Sequence, residues 1–219
     1  MMKAYSYVIE HDLGFAPNPF HGVCTLACCK PQIRKTAAVG DYVLGLGAAR
    51  PKLGGHLCYW MRVDEILTFD RYWEDVRFRR KRPNMRATTY LRYGDNIYHR
   101  RNGEGPFLQE YSFHSLPGGA LSQTNLQRDT GTSEKVLLSR TFAYFGAKGV
   151  PLPPELKAFE IRGPGHKNRF TPEQVSALLA WLETLPGIGF VGEPAHWQFL
   201  SRKRRRVAAL VAQHGGHAS

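Results

Sequence analysis

No apolar run in the sequence is longer than a few residues, so no segment can cross a bilayer as a helix. The opening stretch MMKAYSYVIEHD alternates like a strand and is acidic by position 10, unlike a secretory signal. A cytoplasmic protein is expected. Cysteine is scarce: Cys24, Cys28, Cys29 and Cys58 are too few for a disulfide scaffold of 219 residues, and two of them are adjacent. They read as buried thiols of a reducing compartment. The C-x3-C-C spacing lacks the paired C-x2-C knuckles of zinc sites, so a metal site from His21, Cys24, Cys28 and Cys29 is not expected. GPGHK at 163–167 lacks the spacing of a phosphate loop, and Ser139 stands outside any G-x-S-x-G elbow. No cofactor is expected.

Acidic residues are also in short supply, 18 against 30 Lys and Arg, for a net charge of +12. The excess is localised. Residues 71–101 carry ten Lys or Arg against Glu74, Asp75 and Asp95, and RKRRR at 202–206 adds five more, so these two segments supply the whole imbalance. Charge concentrated in this way points to an anionic partner, with nucleic acid the first candidate and a merely solvated surface the alternative. Hydrophobic content of 42%, with 12% aromatic, is ample for a core. Twenty-two glycines and 14 prolines favour an α+β or mostly-β domain over a helical bundle. The length suits one domain over residues 1–200, followed by a basic tail at 201–219.

Residues 14–47, GFAPNPFHGVCTLACCKPQIRKTAAVGDYVLGLG, gather most of the special residues. Asn18-Pro19 and Lys30-Pro31 each force a turn or extended geometry, because the proline ring clashes with helical backbone at the preceding residue. Val39-Gly40-Asp41 reads as a tight turn feeding a buried strand at 42–46. Cys29 lies beside Lys30, whose charge would lower its pKa if the thiol were exposed, so a nucleophilic cysteine stays open. Further strands are expected at 3–10, 57–67 and 136–138, a helical turn at 70–76 and an aromatic turn at 142–146. Thr171, Pro172 and Gln174 spell a capped helix start, and 172–184 reads as a helix burying Val175, Leu178, Leu179 and Leu182. A basic final helix is expected in the tail.

The basic segment interleaves Arg79, Arg80, Lys81 and Arg82 with Phe78, Tyr90, Tyr93 and Tyr98. Aromatic faces stack on bases while cations neutralise phosphates. Residues 92–98 read as a turn in which Gly94 or Asn96 takes positive φ. Asn96 could read a base edge or simply cap that turn. His114 sits in a polar, glycine-rich stretch at 102–131, as a ligand-facing base or a satisfied loop histidine.

The order of a V-G-D turn, an apolar strand and an aromatic strand ending in V-D-E resembles the start of the PUA-like barrels shared by EVE, YTH and ASCH domains. More specifically, GFAPNPFHG, CTLACCKPQIR, VGDYVLGLG, RYWEDVRF, KRP, YGDNIYH and VLLSRTFAYFG resemble the nucleotide modification associated domain 2 family. That family is grouped with DNA base modification systems of bacteria and phages. The resemblance implies a nucleic-acid or nucleotide context and an α+β, PUA-like, partly closed β-barrel with flanking helices and long loops. It brings Asn18, Cys29, Lys30, Arg34, Lys81, Asp95, Asn96, His114, Asp129 and Ser139 forward as candidate site residues, without roles.

Two functions follow as expectations. In the first, the chain binds nucleic acid, DNA before RNA, or a modified base. Lys30, Arg34 and the 79–82 run hold phosphates, Tyr93 or Tyr98 stacks, Asn18 or Asn96 reads the base, and Ser139 joins the surface. In the second, it is an enzyme on a nucleotide, with Cys29 as nucleophile or Asp95 and His114 as an acid–base pair. A basic module for an acidic protein is the third alternative.

Overall fold

The computed structural model describes residues 2–49, 53–87, 89–161 and 163–197. The RKRRR segment and the expected final helix lie outside the described residues. The first half of the chain runs through β1 (Ala4–Ile9), β2 (Cys24–Leu26), α1 (Pro31–Thr36), β3 (Tyr42–Gly47), β4 (His56–Arg62), β5 (Glu65–Thr68) and α2 (Phe69–Glu74). After a 3-10 turn at Val76–Lys81 come α3 (Thr89–Arg92), β6 (Tyr98–Arg101), β7 (Glu104–Gln109) and α4 (Gln123–Thr130). The remainder holds β8 (Lys135–Ser139), β9 (Phe142–Tyr144), β10 (Val150–Pro151), β11 (His166–Lys167), α5 (Pro172–Thr184) and β12 (Gly189–Phe190).

The main sheet has the order β11-β1-β3-β4-β9-β12, with β10 added on β4. A second sheet pairs β2, β8 and β5, and β6 with β7 forms a hairpin. The expected partly closed barrel is therefore corrected: the main sheet ends on two-residue strands, β11 and β12, which do not pair with each other. The expected strand at 57–67 is in fact β4 and β5, divided between the two sheets. The expected aromatic turn at 142–146 opens as β9, a strand within the main sheet.

Alternation of side chains puts the two faces of the main sheet into two cores. Tyr5, Tyr7, Val43, Tyr59 and Met61 pack with Leu26, Ile33 and Leu137 toward the small sheet. Leu44, Leu46, Leu57 and Trp60 pack under Val175, Leu178 and Leu182 of α5. That helix has the expected bounds and a complete capping box between Thr171 and Gln174. Leu179 is only partly buried. Beyond the small sheet lies a third core holding Cys28, Phe69, Tyr72, Phe78, Tyr98 and Leu126.

Strands β1 and β3 are parallel, so a crossover must join them. That crossover is the cysteine-rich segment, which contributes β2 to the small sheet and α1 to its flank.

Candidate active site

The turn from β2 into α1 brings Cys29 to the surface of the third core. Pro31 opens α1 and excludes right-handed helical backbone at Lys30. Cys29 and Lys30 both take left-handed conformations, with φ of 58° and 42°. For residues with a Cβ such a conformation is sparsely populated and needs support from its surroundings. Support comes from two directions. The Cys29 amide donates to Asp129 Oδ1 at 2.9 Å. Arg34, fully buried on α1, donates to the carbonyls of Cys29, Ser133, Lys135 and Asp129, at 3.0 Å to Cys29.

Cys29 Sγ lies 3.7 Å from His114 Nε2. On the far side of the ring, His114 Nδ1 lies 3.0 Å from Asp129 Oδ2. Tyr98 from β6 donates to the same oxygen at 2.9 Å, and Arg128 Nε donates to Oδ1 at 2.9 Å. The His114 loop is pinned by Asn125, whose amide donates to the His114 carbonyl at 2.8 Å. Burial opposes a charge on Asp129, but hydrogen bonds from His114 and Arg128 outweigh it and hold the carboxyl well below its ordinary range. An ionised Asp129 only accepts, so Nδ1 carries a ring proton toward it, and Nε2 is the nitrogen that faces the thiol. Burial, then the Asp129 charge, pushes the Cys29 thiol up to about 11 against the pull of Arg128, Lys30 and Arg34. The Cys29 thiol therefore rests protonated, facing Nε2 of the imidazole.

Cationic groups surround this pair. Arg128 Nη2 is 3.3 Å from both ring nitrogens of His114. Lys30 is partly buried with its ammonium 4.6 Å above the Tyr7 ring, and desolvation lowers its pKa. Cys28, His114 and Asp129 offer ligand atoms within 4.8 Å of one another. The Arg128 guanidinium already occupies that carboxylate, and its charge opposes a metal ion there.

Asp95 does not pair with His114. It accepts from Thr25 Oγ1 at 2.6 Å and Tyr72 at 2.8 Å, in a second buried network centred on Lys81. The Lys81 ammonium donates to the Asn18 side chain at 2.7 Å, the Val23 carbonyl at 2.6 Å and Thr25 Oγ1 at 3.1 Å, and also faces the Asn18 carbonyl. Burial lowers Lys81 to about 8 and raises Asp95. Asn18 spends its amide on the carbonyls of Gly14 and Tyr93. Asn96 gives its amide to those of Tyr72 and Phe78. Gly94 is needed for close approach rather than for a positive φ: a Cβ there would fall 2.3 Å from the Lys81 carbonyl oxygen.

Among the remaining candidates, Arg79 and Arg80 are exposed on the 3-10 turn. Arg82 stacks on Trp73 at 3.7 Å. Ser139 is buried and donates to the Thr141 carbonyl. Tyr98 is buried as part of the His114 cluster rather than offered for stacking, and Tyr93 sits between Phe113 and Trp197. Sequence reasoning gave no role to Asp129 and missed Arg128. Asp129 was visible only as a position of the family pattern, and Arg128 only as a cation next to it.

Sheets, flanking helices and a buried thiol–imidazole–carboxylate cluster define a mixed α+β protein. The chain belongs to the nucleotide modification associated domain 2 family, which it matches over residues 1–201. Membership ties it to nucleotide modification. Among solved structures it is similar to a mutant ASCH protein from Zymomonas mobilis, at 10% identity and a TM-score of 0.35, over 82% of this chain and 98% of that one. No curated protein matches it. Among the described residues, no helix is long and apolar enough to cross a membrane.

Proposed function

We propose that this chain is a thiol-dependent enzyme of nucleotide modification. Cys29 is its nucleophile, His114 the base that takes the thiol proton, and Asp129 the positioning residue that fixes the imidazole. The observation that carries this reading is the relay from Cys29 Sγ through His114 to Asp129, with links of 3.7 and 3.0 Å. Nucleophile, base and orienting acid in this sequence are what thiol catalysis needs, and such contacts are often loose before substrate binds. The left-handed turn that presents Cys29 between a strand and a helix supports the same reading.

As substrate enters, the proton passes from Sγ to Nε2 while sulfur bonds to an electrophilic carbon of the base or of its modifying group. The displaced electron pair moves onto the adjoining nitrogen or oxygen, and the imidazolium then returns the proton to that atom. Lys30 and Arg128 supply positive charge for a phosphate or for the developing anion. Arg79 and Arg80, exposed on the 3-10 turn, leave charge for the phosphates of a longer nucleic acid.

The test is mass spectrometry of the protein incubated with nucleotides and oligonucleotides carrying modified bases. A substrate-dependent adduct on the Cys29 peptide is expected, absent in Cys29→Ser and formed at least about a hundredfold more slowly in His114→Ala. Turnover that survives in Cys29→Ser would overturn the assignment.

A further inference from the structure

We infer that a cleft walled by aromatic rings, apart from the Cys29 cluster, is a track for single-stranded nucleic acid. Its role in delivering a base to Cys29 rests on the enzyme reading, whereas the binding itself does not. The cleft has a volume of about 460 Å³ and is lined by Phe20, Tyr90, Phe190, His21, Arg80 and Arg140, among others. Its size falls within the roughly 300–1,000 Å³ of small-molecule sites.

Phe20 is the hub of the wall, with ring centroids 5.1 Å from Tyr90, 5.6 Å from Phe190 and 5.7 Å from Trp197. Tyr90 and Phe190 remain about 40% exposed. Arg80 and Arg140 are exposed and pair with no carboxylate among the described residues. Two acids lie close by: Glu193 accepts from the Tyr90 hydroxyl at 3.1 Å, and Asp64 accepts from the Arg140 backbone amide at 2.7 Å. Open ring faces beside unpaired guanidinium groups match a ligand that alternates flat bases with phosphates. A duplex keeps its base faces stacked inside and cannot offer them to these rings, so the fitting ligand is single-stranded.

The rings also lead somewhere. From Phe20 they continue through Trp197, Tyr93, Phe113 and Phe15 to His114, in steps of 4.5–6.0 Å. Phe113, midway, is 46% exposed. Phe15, Phe20 and Trp197 are buried along that row, so a strand meets the rings only where they open, at Tyr90 and Phe190 in the cleft and at Phe113 on the way to the relay.

Fluorescence anisotropy of the full chain with labelled twelve-nucleotide oligo-dT and oligo-rU, against a hairpin duplex, tests this. At least one single strand is expected to bind ten times or more tighter than the duplex. Phe190→Ala and Tyr90→Ala should each weaken that binding about tenfold, and Cys29→Ser should leave it unchanged. Replacing both Arg80 and Arg140 by Ala should reduce the salt slope by roughly 1.4, two single-strand phosphates. Wild-type affinity in both Phe190→Ala and Arg140→Glu, or equal binding of strand and duplex, overturns the track. If cleft-dependent binding holds but no Cys29 adduct forms, only the enzyme reading falls. If the adduct forms on oligonucleotides equally fast in Phe190→Ala, delivery from the cleft to Cys29 falls.

Discussion

Replacing Lys81 by methionine asks whether this buried ammonium belongs to the fold. Methionine has a similar length and no donors. Four acceptor atoms, two on Asn18 and one each on Val23 and Thr25, lose their partner. Asp95, joined to Lys81 through Thr25, becomes an uncompensated buried charge. Breaking a buried pair by removing one member costs about 3–5 kcal/mol. At about 2–4 °C per kcal/mol for a chain of this size, the melting temperature should fall by roughly 6–20 °C. Thermal melts followed by circular dichroism measure it. Adding Asp95→Asn should recover part of the loss. The deficit should also be smaller at pH 5 than at pH 7, because Asp95, already raised by burial, neutralises by taking a proton. A Lys81→Met protein that melts within about 2 °C of wild type while losing oligonucleotide affinity would refute this account and make Lys81 a phosphate ligand.

Three further outcomes are expected. The rate of Cys29 alkylation by iodoacetamide should climb through alkaline pH toward a midpoint of about 11, since the thiol rests protonated; a plateau already reached at pH 7 would show a resting thiolate instead. Burial raises Cys24 to about 12, and Cys28 and Cys58 in the same direction, above the roughly 8.5 of an unfolded thiol. The folded protein therefore keeps protons that the unfolded chain sheds, so this contribution is complete below about pH 8.5 and is lost above it, at about 1.4 kcal/mol per pH unit for each thiol. Lys81, lowered to about 8, works in the opposite sense up to about pH 10.4 but is one group against several thiols; denaturant melts should show net stability falling above pH 9. Arg34→Met takes the guanidinium donors from four carbonyls, those of Ser133 and Asp129 in buried contacts and those of Cys29 and Lys135 in partly buried ones, at about 1–3 kcal/mol for each buried one. It should lower stability and Cys29 reactivity together, measured by urea melts and alkylation of the same sample, while Arg34→Lys recovers only part of both.

Helix α5 was legible because a cap, a proline and an apolar stripe all agree on its ends. β1, β3 and β8 were legible from their β-branched and aromatic runs. β9 was not, since FAY between Thr141 and Phe145 offers neither alternation nor length. The candidate site divided along a physical line. Cys29 could be singled out because a thiol beside Lys-Pro, just after a strand, is unusual locally. Its partners come from 85 and 100 residues away, and no local spacing encodes that meeting. Arg34 and Lys81 misled for a different reason: long cations belong on surfaces unless carbonyls are gathered around them, and that gathering is a tertiary fact.

The paired left-handed residues at the Cys29 turn also bear on how this protein can be engineered and how it can drift. Non-glycine side chains in that region cost on the order of 1–2 kcal/mol each, so glycine at either position would relax the backbone. A selection for thermal robustness alone would therefore favour Cys29→Gly and Lys30→Gly, and in doing so remove the thiol and the ammonium. On the proposed function, robustness and chemistry pull in opposite directions at these two positions.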